Sequence, residues 1–467
     1  MKLSQLINCK DSLANLDIKG VTDDSRKVKE GFLFVNTKNI PFYSDDAIKN
    51  GAAAVVVNNN CDYENSVVVE NTKISFANIC AKWFNNPADD LILLGVTGTN
   101  GKTTVTYMLK TILESTGEKV GVIGTVGNYI DGEMIPSINT TPNAYYLNEL
   151  FAKMRDKKCK YVVMEVSSHA LDNLHVYNLN FKVAMFTNLT QDHLDYHGSM
   201  ENYYLAKRKL FEMCQTAVIN KDDAISERLI NEINCKVLTY SVDGDSDFIS
   251  KAIKYMPGKV SYQLLSDNIN SVKINIGGKF TVYNSLCAIA CAKELGISVE
   301  ESAKALLDMT GVKGRAEVVP IDKDYTVIID YAHTPDGLKN ILKTFKECEH
   351  NRLIVLFGCG GDRDATKRPL MGEIASLYAD YIIVTSDNPR TEDPEKIIKD
   401  ILKGIPNGQF GCKVIEDRRQ AIKFALSIAG KDDIIVLAGK GHETYQIIGK
   451  EKIPFDEREI VFEALKQ

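Results

Sequence analysis

The sequence lacks any apolar run long enough to cross a membrane. Its longest runs, such as Ala52 to Val57 and Tyr161 to Met164, have the length of a β-strand, whereas a spanning helix needs about 20 apolar residues. The N-terminus, Met1 to Lys10, lacks the continuous apolar region and the small-residue cleavage site of a signal peptide. We therefore expect a cytoplasmic protein with no membrane span.

An excess of basic residues and paired cysteine motifs are also missing. The formal net charge is -6, so no basic surface for nucleic acid is indicated and no nucleic-acid partner is expected. The 11 cysteines are scattered, and no Cys-x-x-Cys pair suggests a zinc site or a redox motif. This usage is typical of reduced thiols in a cytoplasm.

The chain is too long for one ordinary hydrophobic core. At roughly 150 residues per domain, 467 residues indicate about three domains. β-Branched runs alternate with polar helical stretches, a pattern that predicts parallel α/β sheets. The runs are Val55–Val57, Val67–Val69, Leu91–Gly95, Tyr161–Glu165, Thr326–Asp330, Leu353–Phe357, Tyr381–Val384 and Ile434–Leu437.

Two breaks in this rhythm predict the domain boundaries. The segment Trp83 to Asp90 contains an Asn-Pro turn just before a strand, and Met309 to Gly314 places two glycines between a helical stretch and a new series of strands. We therefore predict domains at 1–88, 89–312 and 313–467.

A glycine-rich segment indicates a phosphate loop. It follows the predicted strand Leu91 to Leu94 and precedes a predicted helix from Thr104 to Glu114, so backbone amides and a helix N-terminus would hold phosphate. Lys102 would neutralise phosphate charge and Thr103 would bind magnesium. The strict spacing is not met, because Val96 stands where the first glycine belongs. The plain alternative is a glycine-rich turn with a surface lysine. The segment reads Gly98, Thr99, Asn100, Gly101, Lys102, Thr103, Thr104.

Further polar groups follow later strands. Glu165 closes an apolar strand, at an edge where ligands of α/β sheets gather and where a nucleotide-bound magnesium takes its oxygen ligands. The segment Thr187 to Gly198 contains His193 and His197, two of the seven histidines. This concentration of histidine in polar loops favours chemistry over structure.

Together these segments resemble the Mur ligases of bacterial cell-wall synthesis, from Asp24 to Arg458. The resemblance implies an α/β protein of three domains. A central domain with a P-loop-type, mostly parallel sheet would bind ATP. A small N-terminal α/β domain would bind UDP-MurNAc-peptide, and a Rossmann-like C-terminal α/β domain would bind an amino acid.

The resemblance also implies roles for single residues. Catalytic roles fall to Lys102, Lys207, His193 and Arg315, and magnesium would be held by Thr103, Glu165, His193 and Lys207 as its carbamate. Without that modification, Lys207 would be an exposed helical cation. ATP would contact Gly98, Thr99, Asn100, Gly101, Lys102, Thr103, Thr104, the turn at Asn284, Arg315, Asp330 and His333. UDP-MurNAc-peptide would contact Ser25, Asn139, Thr140, Thr141, Ser167, Asn173 and His175.

The C-terminal part of the chain contains three motifs, Gly358 to Asp364, Asp387 to Arg390 and Gly439 to Glu443. Together they resemble the MurE branch of the family, and the motif from Asp387 to Arg390 resembles that of the enzymes that add meso-diaminopimelate. An arginine fork suits the distal carboxylate of that substrate, which lysine lacks. The plain alternative for Arg390 is an ion pair with Glu392 or Asp393. The implied contacts with the amino acid are Arg363, Asp387, Asn388, Pro389, Arg390, Gly439 and Glu443.

The implied reaction uses ATP and Mg²⁺ to phosphorylate the free carboxylate of UDP-MurNAc-L-Ala-D-Glu, after which the amine attacks the acyl phosphate. A monomer is expected. L-lysine or meso-lanthionine as acceptor, a folylpolyglutamate-type ligase and a nucleotide-binding regulatory protein remain alternatives. Two departures bear on them. Residues 36–46 do not match the family pattern, and Asn173 and His175 replace glutamine and arginine, so we expect a cation that titrates near neutral pH.

Overall fold

The computed structural model describes residues 1–59, 63–137, 139–256, 258–309, 311–406 and 411–466. Three large β-sheets follow one another along the chain, and helices cover them. Thr310, within the second predicted boundary segment, lies outside the described residues. No helix in the described ranges is both long and apolar enough to span a membrane.

The N-terminal sheet is a four-stranded parallel sheet in the order β1-β2-β3-β4. Asn71 caps the longest helix here by accepting hydrogen bonds from the amides of Lys73 and Ile74. The unusual segment 36–46 contributes the start of a helix with proline at its first position. The strands are Gly20–Thr22 (β1), Phe32–Val35 (β2), Ala52–Val57 (β3) and Ser66–Val68 (β4); the helices are Leu3–Leu6 (α1), Asp11–Ala14 (α2), Pro41–Lys49 (α3) and Thr72–Trp83 (α4), with a 3₁₀ turn at Ser25–Lys27.

The central sheet has eleven strands in the order β15-β14-β13-β12-β11-β10-β5-β9-β6-β7-β8. Its middle strands are parallel, and antiparallel strands extend both edges. The strands are Ile92–Thr97 (β5), Val120–Ile123 (β6), Asn128–Ile130 (β7), Glu133–Ile135 (β8), Tyr161–Glu165 (β9), Phe181–Phe186 (β10), Cys214–Asn220 (β11), Lys236–Ser241 (β12), Phe248–Met256 (β13), Lys259–Leu265 (β14) and Ile269–Ile274 (β15).

Helices cover both faces of this sheet. Leu93, Leu94 and Val96 of β5 are buried because the strand lies in the middle of the sheet. The helices are Lys102–Ser115 (α5), Ala144–Asp156 (α6), Ser168–Asp172 (α7), Leu194–His197 (α8), Met200–Arg208 (α9), Ser226–Glu232 (α10), Lys279–Glu294 (α11) and Val299–Leu307 (α12), with 3₁₀ turns at Pro87–Asp90 and Lys209–Glu212.

The C-terminal sheet has the order β16-β17-β21-β18-β19-β20, parallel except for β16, and a hairpin of β22 and β23 follows. The strands are Glu317–Val318 (β16), Thr326–Asp330 (β17), Leu353–Phe357 (β18), Tyr381–Val384 (β19), Cys412–Val414 (β20), Ile434–Ala438 (β21), Tyr445–Ile448 (β22) and Glu451–Pro454 (β23). The helices are Pro335–Lys346 (α13), Lys367–Tyr378 (α14), Pro394–Leu402 (α15), Arg418–Ile428 (α16) and Glu457–Leu465 (α17).

The predicted α/β architecture is confirmed, and the predicted strands coincide with β3, β4, β5, β9, β17, β18, β19 and β21 to within a few residues. The exact domain boundaries stay predictions. Because the carboxyl ends of β5, β9, β10 and β17 precede the loops with the predicted ATP and metal residues, the topology prepares one site at those ends.

Candidate active site

The phosphate loop between β5 and α5 is shaped by two glycines. Gly98 and Gly101 have φ angles of 147° and 87°, a region that disfavours other residues. A Cβ on Gly98 would collide with Oγ1 of Thr187, and one on Gly101 with Oδ1 of Asn284. Asn284 thus lies against the loop, and its contact with ATP stays a prediction. The predicted turn is wrong, because Asn284 belongs to helix α11.

Two lysines converge on one carbonyl oxygen of this loop. Lys102 Nζ donates to Gly98 O and to Thr99 O, each at 2.9 Å, and Lys207 Nζ donates to Gly98 O at 2.9 Å. Lys207 is only 2% exposed, which contradicts the alternative of a surface cation. Burial, with the Lys102 ammonium as a second cause, holds the pKa of Lys207 well below its usual range. Burial also lowers the pKa of Lys102, and the opposing effect of the Glu165 and Asp192 carboxylates, which raise this pKa, is smaller.

Glu165 is buried at the end of β9. Its Oε1 accepts a hydrogen bond from the amide of Thr125 at 2.9 Å, and its Oε2 accepts one from the Thr125 hydroxyl at 3.0 Å. The Thr125 hydroxyl also lies 3.0 Å from that of Thr140. Thr141 donates to the carbonyl of Glu165 and accepts from the amide of Ser167. Four predicted residues therefore form one hydrogen-bonded network.

Histidine and tyrosine rings cluster beside this network. The ring centroids of His169 and His193 are 4.8 Å apart, and the His169 ring lies 4.2 Å from that of Tyr196. His193 has a φ of 53°, and its Nε2 lies 3.4 Å from Asp192 Oδ2. Burial lowers the pKa of His193, against the Asp192 carboxylate. A neutral imidazole at that position suits a metal ligand.

The donor set agrees with a magnesium ion. Within the described ranges, no three His, Cys, Asp or Glu side chains converge as metal ligands. The predicted set takes only Glu165 and His193 from these residue types. Its other members are the Thr103 hydroxyl and, after carbamylation, the oxygens of Lys207. A set dominated by oxygen, completed by nucleotide phosphates and water, is typical of Mg²⁺.

Arg315 connects the C-terminal domain with the phosphate loop. Its Nη2 lies 3.4 Å from Thr103 Oγ1, its guanidinium stacks 4.9 Å from the Tyr331 ring, and its buried Nε has no protein partner within the described residues. Asp330 Oδ2 accepts a hydrogen bond from the amide of Ala316 at 2.7 Å. Burial raises the pKa of Asp330, against the charge of Arg315.

Two histidines flank Tyr331. The exposed His333 donates from Nδ1 to the carbonyl of Tyr331 at 2.7 Å, with ring centroids 4.6 Å apart. His442 packs on the same ring at 4.9 Å, and burial lowers its pKa to about 4. The predicted His333 therefore lies beside Arg315, around a shared tyrosine.

Asp336 was not among the predicted site residues. From the first turn of α13, its Oδ2 accepts hydrogen bonds from Asn100 Nδ2 at 2.8 Å and from Thr190 Oγ1 at 2.9 Å. Asp336 lies three residues after the predicted ATP contact His333, and this proximity is the sequence signal that could have identified it.

The residues predicted to bind the amino acid follow strands of the C-terminal sheet. Arg390 has a φ of 51°, and its Nη1 donates to Gly361 O at 2.9 Å and to Asn388 O at 3.5 Å. Its amide and carbonyl bond to Ile447 and Gly449 of the β22–β23 hairpin. The hairpin therefore fixes the backbone that presents Arg390.

The alternative of an ion pair between Arg390 and its acidic neighbours is wrong. Glu392 accepts hydrogen bonds from Arg368 at 2.9 and 3.0 Å, and Asp393 caps α15. No carboxylate pairs with Arg390 within the described residues. Its guanidinium therefore keeps the capacity to bind an external anion.

Asp387, Asn388 and Glu443 meet around the buried Lys440. Lys440 Nζ donates to Asn388 Oδ1 at 3.1 Å and to Glu443 Oε2 at 3.0 Å, and lies 3.5 Å from Asp387 Oδ1. Gly439, with a φ of 116°, leaves room for the Asp387 carboxylate. Lys440 was missed as a site residue, although it belongs to the motif from Gly439 to Glu443.

Arg363 and Pro389 complete the predicted pocket set. Arg363 is exposed, and its Nη1 donates to the carbonyl of Asp362 at 3.1 Å. Pro389 is buried, and its carbonyl accepts the amide of Glu392. Neither residue makes a direct hydrogen bond to Lys440 or Glu443 among the described residues.

The predicted residues for the UDP-linked substrate are spread over two domains. Asn173 Oδ1 accepts a hydrogen bond from Lys73 of α4 at 3.0 Å, which joins the N-terminal and central domains. Ser25, buried in the N-terminal domain, and Asn139, whose carbonyl accepts from Ser137, make no hydrogen bond to the other predicted residues in the described part. The expectation for His175 is wrong, because burial lowers its pKa to about 4 and the ring is neutral at pH 7.

Comparison with family models places most of the chain in one group. Residues 96–292 match the Mur ligase middle domain, and residues 314–441 match the Mur ligase glutamate ligase domain. Three similar curated proteins are named UDP-N-acetylmuramoyl-L-alanyl-D-glutamate–2,6-diaminopimelate ligase. The protein of Caldanaerobacter subterraneus is 50% identical over 97% of this chain and 96% of its own. That of Clostridioides difficile is 46% identical over 99% and 98%, and one from Clostridium acetobutylicum is 44% identical over the whole of both chains.

Solved structures give the same fold. A structure named for the same ligase covers 100% of this chain and 99% of its own, with a TM-score of 0.74 and 33% identity. The MurF ligase of Thermotoga maritima in complex with ADP has a TM-score of 0.63 over 98% of both chains, and its 19% identity shows likeness of fold alone. A folylpolyglutamate synthase of Mycobacterium tuberculosis complexed with ADP shares the fold at a TM-score of 0.66 and 20% identity, covering 79% of this chain and 91% of its own.

Proposed function

This chain belongs to the Mur ligase family, and from that premise we propose that it joins meso-diaminopimelate to UDP-N-acetylmuramoyl-L-alanyl-D-glutamate with hydrolysis of ATP to ADP and phosphate. It is an ATP-dependent acid–amino-acid ligase acting on small molecules in peptidoglycan precursor synthesis. It works in the cytoplasm as a monomer.

One observation carries the choice of amino acid. Within the described residues, the Arg390 guanidinium donates hydrogen bonds to carbonyl oxygens alone, while Glu392 is bound by Arg368. The Arg390 guanidinium and the Glu443 carboxylate together suit the zwitterionic end of diaminopimelate. The distal carboxylate of the substrate would bind Arg390, and its ammonium would bind Glu443. L-lysine lacks the distal carboxylate that would bind the Arg390 guanidinium, and its side-chain ammonium would lie beside the positive charge of Arg390.

The phosphate loop would bind and activate ATP. Backbone amides at the start of α5 and Lys102 receive the phosphates. Arg315, whose Nε has no partner in the described part of the chain, supplies positive charge from the C-terminal domain. A carboxylate oxygen of the D-glutamate forms the new P–O bond as ADP leaves, and the amine then forms the C–N bond as phosphate leaves and a proton is released. Magnesium, held by Thr103, Glu165, His193 and carbamylated Lys207, would screen the charge of the phosphoryl group.

The surroundings of Lys207 favour its carbamylation. Its depressed pKa makes the neutral amine available, and only that form adds to carbon dioxide. The nitrogen forms a bond to the carbon of CO₂ and loses a proton to water, so a buried neutral amine becomes an anion with two oxygen ligands. Carbamylation would also leave the Lys102 ammonium as the one positive charge of this lysine pair at Gly98 O.

The test is phosphate release by the purified chain. Release is expected only when ATP, the UDP-linked dipeptide and meso-diaminopimelate are all present. Omission of any one gives the background rate. Phosphate release from ATP alone at the full rate, or none with all three substrates, would contradict the proposed function.

A further inference from the structure

The three hydrogen-bond donors of the buried Lys440 all point into the amino-acid pocket. Lys440 is 0% exposed. Its Nζ reaches Asn388 Oδ1, Glu443 Oε2 and Asp387 Oδ1 at 3.0 to 3.5 Å. An ammonium has three protons, so these acceptors use all of them. The lysine therefore has no donor left for a substrate.

The contacts of Lys440 fix the orientation of the Asn388 amide. The amide of Ile447 donates to Asn388 Oδ1 at 2.9 Å, and a backbone N–H can only donate. With Oδ1 held by Ile447 and Lys440, Nδ2 must face Glu443, to which it donates at 2.9 Å. Ile447 and Lys440 together thus determine that the Asn388 Nδ2 group faces the Glu443 carboxylate.

Glu443 receives both of these hydrogen bonds on a single oxygen. Oε2 accepts from Lys440 and Asn388, and Oε1 has no protein donor within the described residues. Lys440 also offsets one of the two nearby carboxylates, Asp387 and Glu443, which would otherwise repel each other at low dielectric. One negative charge and one free oxygen remain for an incoming ammonium.

We propose that Lys440 is a positioning residue that orients Glu443 and Asn388 for the ammonium of the diamino acid, without touching the substrate itself. The inference rests on the proposed function, because it assumes that the pocket from Asp387 to Arg390 holds the amino acid.

A double-mutant cycle tests this assignment. The proteins are wild type, Lys440→Met, Glu443→Gln and the double variant, with the exposed Lys431→Met as matched control. Lys440→Met should raise the KM for diaminopimelate about 10- to 100-fold, the usual range for loss of a residue that orients a ligand group. The KM for ATP should stay within about twofold, and the double variant should match Glu443→Gln alone.

Equal KM values for diaminopimelate in wild type and Lys440→Met would overturn the assignment, as would fully additive effects in the double variant. If Lys440→Met does not fold, the double variant, which also removes the carboxylate charge, is compared with Glu443→Gln alone. An equal KM for diaminopimelate in the double variant and in Glu443→Gln supports the assignment. A KM that is a further tenfold higher in the double variant overturns it. Turnover of L-lysine by wild type instead of diaminopimelate would overturn the proposed function only, and the same cycle would then be run with L-lysine.

Discussion

Asp336 Oδ2 accepts a hydrogen bond from Asn100 Nδ2 at 2.8 Å, so a helix of the C-terminal domain is joined directly to the phosphate loop of the central domain. The same oxygen accepts from Thr190 at 2.9 Å and from Asn340, its neighbour on α13, at 3.1 Å. The carboxylate thereby joins α13 to the phosphate loop and to the loop that follows β10.

Replacement of Asp336 by alanine should lower kcat about tenfold. Loss of hydrogen bonds to a charged group costs roughly 1.5–3 kcal/mol, and here the loss weakens domain closure rather than nucleotide contacts. ADP affinity, measured by calorimetry, should be unchanged or slightly higher, because an anion near the phosphates is removed. Asn340→Ala, which loses only the bond within α13, is the control. Equal kcat values in the two variants would contradict the role of Asp336.

Lys207→Ala should lower kcat more than about 100-fold, because it removes the proposed carbamate and its metal-binding oxygens. Acetate or formate should restore part of the activity, since a small carboxylate can occupy the same space. Wild type prepared in ¹³C-bicarbonate should show a carbamate carbon signal that is missing from Lys207→Ala. A fully active alanine variant would exclude a carbamate role.

Arg390→Met should raise the KM for diaminopimelate by roughly 100-fold, because a charge-assisted, bidentate contact with the distal carboxylate is lost. The KM for ATP should not change. The exposed Arg419→Met, which breaks only a surface pair with Glu463, is the matched control. Unaltered kinetics with diaminopimelate would show that its carboxylate does not bind Arg390.

Acid should destabilise the fold in part through His175. Its pKa is about 4 in the folded protein against 6.5 for the free group, so the unfolded chain takes up a proton first as pH falls. The contribution of the neutral His175 to the free energy of unfolding is therefore fully present above pH 6.5, and it is lost as the pH falls from 6.5 to about 4. Between pH 7 and pH 5 the loss amounts to roughly 2 kcal/mol, at about 1.36 kcal/mol per pH unit. In urea unfolding, the free energy of unfolding should decrease from pH 7 to pH 5 by about that amount less in His175→Gln than in wild type. An equal decrease in both proteins would be the contrary result.

The parallel strands were predictable because strands buried on both faces are continuous apolar runs, as in Tyr161–Glu165 and Leu353–Phe357. The antiparallel strands from Phe248 to Ile274 were not predicted. They lie toward one edge of the sheet, and alternating polar residues hide them from a search for apolar runs.

The site was predictable where motifs follow strand ends, and not where it depends on contacts between distant segments. Nothing in the local sequence indicates that Lys207 is buried or that Lys440 uses all of its donors inside the pocket. The same limit applies to Asp336, whose partner Asn100 lies 236 residues away. The prediction that His175 titrates near neutral pH was wrong, because burial lowers its pKa and the local sequence does not reveal that burial.

A competition experiment tests the proposed specificity for meso-diaminopimelate most directly. The purified chain is given ATP, UDP-MurNAc-L-Ala-D-Glu and an equimolar mixture of meso-diaminopimelate, meso-lanthionine and L-lysine, and the tripeptide products are identified by mass. The proposed specificity for diaminopimelate predicts that its product forms in large excess over the lysine product, and that the share of the lysine product increases in Arg390→Met. A predominance of the lysine product in wild type would contradict it.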